Sequence, residues 1–245
     1  MRKVLILFAA ILFVVQFSSA QEVVTARRRA ASGGINPAFV QGATGFSASA
    51  STIAVTLGSA VTAGHALFVF EASTSQAPST PTATGETFTT FTGASGCQNF
   101  IGDAIQCYAT TSAAGGETTV NCNFVSATPL KCVVVEFTRP QGLSTPVDAG
   151  GNSENGAAVS LAVSTSAATT NANDFVVSCA EGFNVGSNPI TFPSPFTEPA
   201  SLSQSDANGE VACGYNVASS TGVQSVTPTW TTSMRAGAMI LAVKP

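Results

Sequence analysis

A regular alternation of apolar and polar residues is the feature that most limits how this chain can fold. Apolar residues occupy every second position in several separate stretches of the sequence. These stretches contain Ile53, Val55 and Leu57; Val120, Cys122 and Phe124; Val159, Leu161 and Val163; and Val211, Cys213, Tyr215 and Val217. Because successive side chains of a β-strand point to opposite faces, the pattern predicts half-buried strands in antiparallel sheets.

Other segments are apolar without interruption, and they predict central strands that are covered on both faces. These segments are 67–70, 132–135, 175–177 and 239–243. Beyond residue 20 no stretch has helical spacing, and clusters of Gly, Pro, Asn and Ser separate the strands. We therefore predict an all-β fold, a two-sheet antiparallel β-sandwich that is jelly-roll-like.

The N-terminus has the three-part pattern of a secretory signal peptide. A basic start at residues 2–3 precedes an apolar run over 4–15, and small residues occupy 18–20. This run is shorter than the roughly 20 residues that a membrane-spanning helix needs. We predict a signal peptide over 1–20, a flexible segment over 21–36, and a single β-sandwich domain over 37–245. The mature protein is expected to be secreted, in the extracellular space, the periplasm or at the cell surface.

Charge is scarce, and this argues against two classes of partner. Charged residues form 9% of the chain, with nine basic residues against 13 acidic ones. Three of the basic residues are the run 27–29, which is either a processing site or a solvated tail. Nucleic-acid binding depends on Lys and Arg neutralising phosphates, and anionic membranes attract basic segments in the same way. We expect no nucleic-acid partner and no membrane insertion after signal removal.

The chain has six cysteines, an even number that predicts disulfide bonds in an exported protein. Cys179 shares one face of its predicted strand with Phe175, and Cys213 shares one face with Tyr215. Both cysteines should therefore point into the core, and we predict a bond between them.

The other four cysteines leave two pairings open. Cys97 and Cys107 enclose a nine-residue loop, as do Cys122 and Cys132, so each pair could join the ends of a hairpin. A two-residue turn at 114–115 would instead place Cys107 opposite Cys122 and leave Cys97 for Cys132. Bridging depends on Cα spacing and side-chain direction, which the sequence does not fix.

Two carboxylates embedded in apolar strands are the candidate catalytic residues. Glu71 ends the apolar run 67–70, and Glu136 lies between Val135 and Phe137. Burial would raise the pKa of such a carboxyl group toward that of a general acid. Glycosidases hold two carboxyl groups about 5 Å apart when retaining and roughly 6.5–9.5 Å apart when inverting. If the two strands were neighbours, the two carboxyl groups could flank a sugar bond as in a glycosidase or polysaccharide lyase. The alternative is that each residue marks a strand end or a contact at the rim.

Nucleophilic catalysis has weaker support. His65 is the only histidine, and it precedes an apolar strand without any G-x-S-x-G nucleophile elbow. We therefore predict a structural role for His65. A single histidine and the absence of a C-x-x-C pair also argue against a zinc site.

Calcium is the one metal that the sequence makes plausible, because two segments are rich in the oxygen ligands that Ca²⁺ prefers. Asp148, Asn152 and Glu154 are the candidate ligands in the first, a predicted loop. The second segment, 206–210, contains Asn208-Gly209, which by itself favours a hairpin turn. We expect no cofactor, with a structural Ca²⁺ ion at the first segment as the alternative.

Aromatic residues bear on sugar binding, since Trp and Tyr faces stack on pyranose rings. The chain has one Trp, Trp230, and two Tyr, Tyr108 and Tyr215, beside 16 Phe. Trp230 lies in an alternating strand and is equally a candidate core residue. This poverty of Trp and Tyr lowers the case for glycan binding without removing it.

Four strings occur in an order that carries a family resemblance: 62–69 (TAGHALFV), 133–137 (VVVEF), 173–177 (NDFVV) and 238–244 (AMILAVK). Their layout over 37–245 resembles the uncharacterised secreted bacterial β-sandwich (jelly-roll-like) domain family. The resemblance implies an extracellular sandwich and assigns no activity. The six cysteines are not part of that family's pattern.

These observations favour a non-enzymatic extracellular module, either a surface or matrix component or an adhesin-like binder. A glycan or a cell-surface protein is the expected partner. The prediction depends on a large β framework, a nearly neutral Ser- and Thr-rich surface, and the lack of a coherent catalytic set.

Overall fold

The computed structural model describes residues 37–74, 77–90, 99–100, 103–110, 112–138, 147–183, 187–207 and 209–245. They fall within one compact unit, Asn36–Pro245. The predicted signal peptide over 1–20 and the segment over 21–36 lie outside the described residues. Within the described ranges, no helix is long and apolar enough to cross a membrane.

The described residues are mainly β-strand, as the alternation predicts, and the only helical element among them is a 3₁₀ turn at Ala200–Leu202. The first seven strands are β1 (Phe39–Thr56), β2 (Ala66–Ser73), β3 (Pro78–Thr82), β4 (Thr89–Thr90), β5 (Asn99–Phe100), β6 (Asp103–Ala109) and β7 (Thr119–Phe137). The other strands are β8 (Val147–Ser160), β9 (Val163–Ser164), β10 (Phe175–Phe183), β11 (Ser203–Asp206), β12 (Gly209–Val217), β13 (Ser225–Val226) and β14 (Thr229–Val243).

The strands form two large antiparallel sheets and one small one. Sheet A has the order β1-β7-β2-β6-β4, with β3 also paired to β7 and β5 to β6. Sheet B has the order β11-β12-β10-β14-β8, and β13 pairs with β9 in the small sheet. Sheets A and B pack against each other, which confirms the predicted two-sheet antiparallel sandwich.

The interface between sheets A and B is a core of large apolar side chains. Phe68 and Phe70 of β2 pack in one buried cluster with Phe175 and Val177 of β10. The rings of Phe137 and Phe175 stack with their centroids 4.6 Å apart, which ties β7 to β10. Full burial of one such side chain stabilises the fold by about 1.5–3 kcal/mol. This cluster therefore supplies much of the attraction between the sheets.

The outer face of sheet A is also covered, because the long β1–β7 ladder folds back over it. Register shifts between Ser47 and Thr52 mark the bend in β1. Beyond the bend Ile53 lies over Gly45: an ideal Cβ at Gly45 would be 2.6 Å from the Ile53 Cγ2 atom. The two arms enclose a second buried cluster that includes Leu67 and Val69 of β2. This explains why the segment 67–70 is apolar at every position.

The outer face of sheet B is covered in the same way by the segments that connect its strands. Val176 and Ile240 point outward from β10 and β14 into a third buried cluster. Phe192, Phe196 and Trp230 close this cluster from the other side. Central strands buried on both faces are therefore present in both sheets, as the uninterrupted apolar segments predict.

Two disulfide bonds are defined in the described residues. Cys179 and Cys213 are bonded and are also register partners on the neighbouring strands β10 and β12. Cys122 and Cys132 are bonded as well, with Cα atoms 6.4 Å apart. Of the two pairings that the sequence leaves open, the Cys122–Cys132 pairing is therefore the one formed, although the bond joins two arms of the folded strand β7 and not the ends of a hairpin.

The alternative pairing of Cys107 with Cys122 is wrong, because β2 lies between β6 and β7 and keeps their strands apart. Cys107 is disulfide-bonded. Cys97 lies outside the described residues.

Candidate functional site

The most organised polar group in the structure surrounds Glu136, which is fully buried near the end of β7. Glu136 Oε1 is 2.6 Å from His65 Nδ1 and accepts the Thr62 backbone N–H at 3.0 Å. Glu136 Oε2 accepts a hydrogen bond from Gln41 Nε2 at 2.6 Å. Two side-chain groups and one backbone N–H, from β1 and from the segment 62–65, therefore surround one carboxylate. We call these four residues the His65–Glu136 site.

Local sequence explains how His65 reaches the carboxylate. The residues 62–65 form a tight turn in which the His65 backbone N–H donates to the Thr62 carbonyl at 3.1 Å. Gly64 has a φ of 86°, a left-handed conformation that favours glycine. On the other side, Gln41 is the register partner of Glu136, next to a bulge in β1. The turn and the bulge together direct two donors at Glu136.

The His65–Glu136 pair has the form of an imidazole oriented by a carboxylate, an arrangement suited to proton transfer. The side chain of His65 is 20% exposed. Among the described residues, however, Glu136 is the only hydrogen-bond partner of the His65 ring, so no hydroxyl or thiol nucleophile completes a triad. Through Glu136, the site connects β1, β7 and the turn 62–65, and we call these connections the clamp. They support a structural role for His65.

Two further carboxyl groups lie near this site. Glu86 Oε1 accepts the Ala114 backbone N–H at 2.6 Å. Glu117 is buried beside Glu86, and the pKa of Glu117 is raised by burial, then by its interaction with Glu86 and by the charge of Glu136. The Glu117 carboxyl group therefore stays protonated to a higher pH than a free glutamate would.

Glu71, the other predicted catalytic carboxylate, is fully buried in β2 on the outer face of sheet A. Its Oε1 atom accepts the backbone N–H of Asn123 at 3.1 Å. Burial raises the pKa of Glu71 well above its ordinary value, and the Asn123 hydrogen bond opposes part of that rise. Burial also raises the pKa of Tyr108, with a smaller contribution from the Glu71 charge.

The structure does not bring Glu71 and Glu136 together. Glu136 pairs with Leu67 in the β2–β7 register, whereas Glu71 pairs with Cys132. Four residues along a strand correspond to about 13 Å, which exceeds the spacing of either a retaining or an inverting pair. Both side chains are also fully buried, Glu71 against Asn123 of the outer arm and Glu136 against the turn 62–65, so neither faces an open groove. The expected catalytic pair is thus not formed.

The predicted calcium loop is wrong, because its residues form part of the strand β8. Asp148, Asn152 and Glu154 are spread along an extended backbone, with Asn152 and Glu154 exposed. The first and last of them are six residues apart, or about 20 Å along a strand, so they cannot surround one ion. Within the described ranges, no group of three or more His, Cys, Asp or Glu side chains is placed to hold a metal ion.

Asp148 instead fixes the segment that follows β9. It accepts hydrogen bonds from the Thr170 backbone N–H and from Thr170 Oγ1, the latter at 2.7 Å. Lys244 Nζ is 3.8 Å from Asp148 Oδ1. Burial alone would raise the pKa of Asp148, but the hydrogen bonds from Thr170 lower it below its ordinary value.

Asp174 lies against Asp148 and is fully buried. Burial, a side-chain hydrogen bond with Asp148 and the charge of Asp148 together raise the pKa of Asp174 to about 7. The two acids therefore share a proton near neutral pH, with Asp148 as the ionised member. Sequence analysis missed this pair because the two residues are far apart in the chain; the only signal was Asp174 at the mouth of the apolar strand β10.

The aromatic side chains suited to sugar stacking are committed to the cores. Trp230 is buried, and its Nε1 donates to the Ala158 carbonyl at 2.7 Å. Tyr108 is buried in the outer cluster of sheet A. Tyr215 stacks on Phe39 and Phe175, with ring centroids 4.9 and 5.4 Å away. None of these three side chains presents an exposed stacking platform.

Comparison with known proteins adds no assignment: no family model, no curated protein and no solved structure matches the chain. Any functional inference for this chain therefore depends on the geometry of its own side chains. Glu71, Glu86 and Glu136 accept backbone hydrogen bonds that connect strands and turns.

Proposed function

We propose that this chain is a non-enzymatic extracellular β-sandwich module, a surface or matrix component or an adhesin-like binder. The observation that carries the proposal is the position of Glu71 and Glu136. Each is fully buried, and the strand register separates them by about 13 Å. A glycosidase or polysaccharide lyase that used these two residues would need both of them at an open groove.

The extracellular address is supported by the disulfide bonds. Disulfides form and persist in oxidising compartments and are rare in the cytosol. The bonds Cys122–Cys132 and Cys179–Cys213 are both within buried clusters, where they reinforce the two sheets. The signal peptide predicted over 1–20 is consistent with the same address.

The charge distribution narrows the kind of partner. Only three basic residues, Lys131, Arg235 and Lys244, lie in the described part of the chain. Lys131 is buried and Lys244 pairs with Asp148, which leaves little positive charge for phosphates. The exposed positions of β8 and β14 are mostly small and neutral, including Asn152 and Thr232. We therefore propose a neutral partner, a glycan or a cell-surface protein, recognised through hydroxyl and amide groups.

A binding array tests this proposal. The oxidised mature protein is applied to a panel of polysaccharides and cell-surface preparations, with calcium and with a chelator. We expect retention on at least one surface with equal strength in both conditions, since Asp148 is already occupied by Thr170 and Lys244. Absence of binding to every surface would contradict the role as binder, and loss of binding in chelator would contradict the assignment of Asp148.

A further inference from the structure

Lys131 is an unusual residue for the position it holds. It lies in β7 with its side chain between the sheets, and it is only 1% exposed. Its Nζ atom makes no hydrogen bond to any described residue and lies 5.1 Å from the centre of the Phe183 ring. An isolated ammonium group is strongly destabilised in such surroundings. Removal of the charge on this amine would therefore stabilise the folded state.

Carboxyl groups surround the amine. The charges of Asp206, Glu181 and Glu210 all act on Lys131, and the effect of Asp206 is the largest of the three. Glu181 is fully buried in β10, and Glu210 is buried at the start of β12. Asp206, at the end of β11, has its Oδ2 atom buried. The chain has few charged residues, yet four of them lie together here: Lys131, Glu181, Asp206 and Glu210.

The β11–β12 hairpin brings Asp206 close to the amine. The Nζ atom of Lys131 is 2.9 Å from the position that a Cβ would take on Gly209. Gly209 and Asp206 are register partners across the hairpin, so their Cα atoms are about 4.5–5.5 Å apart. The lack of a side chain at Gly209 leaves room for the amine beside Asp206.

The ionisation of these groups suits a reaction between them. Burial lowers the pKa of Lys131 to about 8, although the surrounding carboxylates oppose that change. A fraction of the amine is therefore unprotonated, and so nucleophilic, near neutral pH. Burial also raises the pKa of Glu210, which keeps a proton available beside the amine at higher pH than usual.

We propose that Lys131 and Asp206 condense to form an intramolecular amide bond between sheet A and the β11–β12 hairpin. The Nζ–Cγ bond forms and one Cγ–Oδ bond of Asp206 breaks. The released oxygen leaves as water with two protons from the ammonium group, and no oxidant or other reactant is needed. Glu181 is the group placed to carry a proton from Nζ to the departing oxygen.

The fold supplies the driving force for this step. Groups held in contact react with effective molarities of about 10⁵–10⁸ M, which favours an amide that would not form between free molecules in water. The product replaces a buried charge pair with a neutral group. Cys122–Cys132 joins two arms within sheet A and Cys179–Cys213 joins two strands within sheet B, so the amide would connect the two sheets covalently.

Mass spectrometry of the folded, oxidised protein tests the inference directly. We expect the intact mass to be lower by one water molecule than the mass of the disulfide-bonded sequence. Proteolysis should release one branched peptide that contains both residue 131 and residue 206. The Lys131→Arg and Asp206→Ala variants should lack both signatures. Lys244→Arg, the same change at the other described lysine, should retain them.

The wild-type protein alone can overturn the proposal, so it does not depend on whether a variant folds. If the folded wild type has the mass of the disulfide-bonded sequence, with no water lost, the four groups form only a buried ionic cluster and the proposal is overturned. A water loss that persists in Lys131→Arg would place the lost water elsewhere and would equally overturn it. Neither result bears on the proposed extracellular binding role, which is tested separately by the array.

Discussion

At the scale of single residues, the structure explains why so weakly charged a chain places carboxylates in its interior. Glu136 receives hydrogen bonds from Gln41 and Thr62 and contacts His65 at 2.6 Å. Hydrogen bonds to a charged acceptor contribute about 1.5–3 kcal/mol each, roughly twice the value of neutral ones. A buried acceptor of this kind therefore fixes the relative positions of the segments that donate to it.

Replacement of Glu136 with glutamine should destabilise the protein by about 2–4 kcal/mol. Glutamine keeps the shape of the side chain, but its NH₂ group faces donors from Gln41, Thr62 or His65. Chemical denaturation monitored by circular dichroism measures the loss. Glu154→Gln, the same change at an exposed position in β8, is the matched control and should alter the free energy of unfolding by less than about 0.5 kcal/mol. Equal stability of the two variants would contradict the clamp.

Asp174 gives the molecule a distinctive pH dependence. Its pKa is about 7 in the folded state, well above that of an unfolded aspartate, so the folded state binds more protons between these values. Stability should therefore fall as pH rises from about 4 to 7, by roughly 2–4 kcal/mol for this group. The raised pKa values of Glu71 and Glu117 act in the same direction. Thermal melts at several pH values measure the slope.

The Asp174→Asn variant isolates the contribution of this one residue. Asparagine resembles the protonated acid, so the variant should lose less stability than the wild type over the same pH range. Glu154→Gln should leave the slope unchanged. An identical slope in wild type and Asp174→Asn would show that Asp174 does not carry a raised pKa.

At the scale of elements, the folding of the β1–β7 ladder onto itself depends on the lack of a side chain at Gly45. Gly45 lies where the two arms of β1 meet, 2.6 Å (as an ideal Cβ) from Ile53 Cγ2 and 2.8 Å from Val55 Cγ2. A methyl group there would force the arms apart. We expect Gly45→Ala to cost about 1–3 kcal/mol, as overpacking of a core does.

Gly156→Ala is the control for that change. Gly156 lies in β8, and no atom is within 4 Å of its ideal Cβ position. The same methyl group added there should be neutral or slightly stabilising, because alanine restricts the unfolded chain. Urea denaturation of both variants measures the two changes in the free energy of unfolding. A loss of stability in Gly156→Ala as large as in Gly45→Ala would contradict the close contact between the two arms of β1 at Gly45.

The Cys122–Cys132 bond should stabilise the same feature. Its removal in a double alanine variant should lower the free energy of unfolding by about 2–4 kcal/mol, because the unfolded chain loses a constraint. Hydrogen exchange should increase in all strands that exchange by global unfolding, and most strongly in the outer arms, around residues 53–56 and 119–122. No greater increase in these arms than in β10 and β14 of sheet B would contradict a local effect of the bond.

Much of the element structure could be predicted from the sequence, and the exceptions have physical causes. The apolar segments 67–70 and 239–243 are central strands, since continuous burial demands apolar residues on both faces. The composition of the segment 148–155, with its Gly, Asn and acidic residues, predicts a loop. Its pairing with β14 overrides that local preference, as tertiary contacts often do for strands.

The candidate site was harder to predict for a different reason. His65 and Glu136 are 71 positions apart, and nothing in the sequence specifies that their strands meet with this register. The fold of β1 and β7 onto themselves depends on bulges, which have no reliable signature in a single sequence. An acidic residue inside an apolar run indicates that a buried charge needs a partner, but it does not identify His65 as that partner.

At the scale of the whole molecule, the two sheets with three buried clusters form a rigid framework reinforced by disulfides. In the part of the chain that the structure describes, seven charged side chains are buried, and the exposed positions are largely small and polar. Such a surface suits contact with neutral partners and resists the nonspecific attraction that a strongly charged surface produces. This distribution supports the binding or structural role that we propose.

Product analysis on a polysaccharide panel tests that assignment most directly. Wild type, Glu136→Gln and Glu71→Gln are incubated with each polymer, and released reducing ends and unsaturated products are measured by chromatography. We expect no products above the buffer blank from any of the three proteins, because neither carboxylate faces an open groove. Products from the wild type that disappear in Glu136→Gln or Glu71→Gln would contradict the non-enzymatic account and identify a catalytic carboxylate.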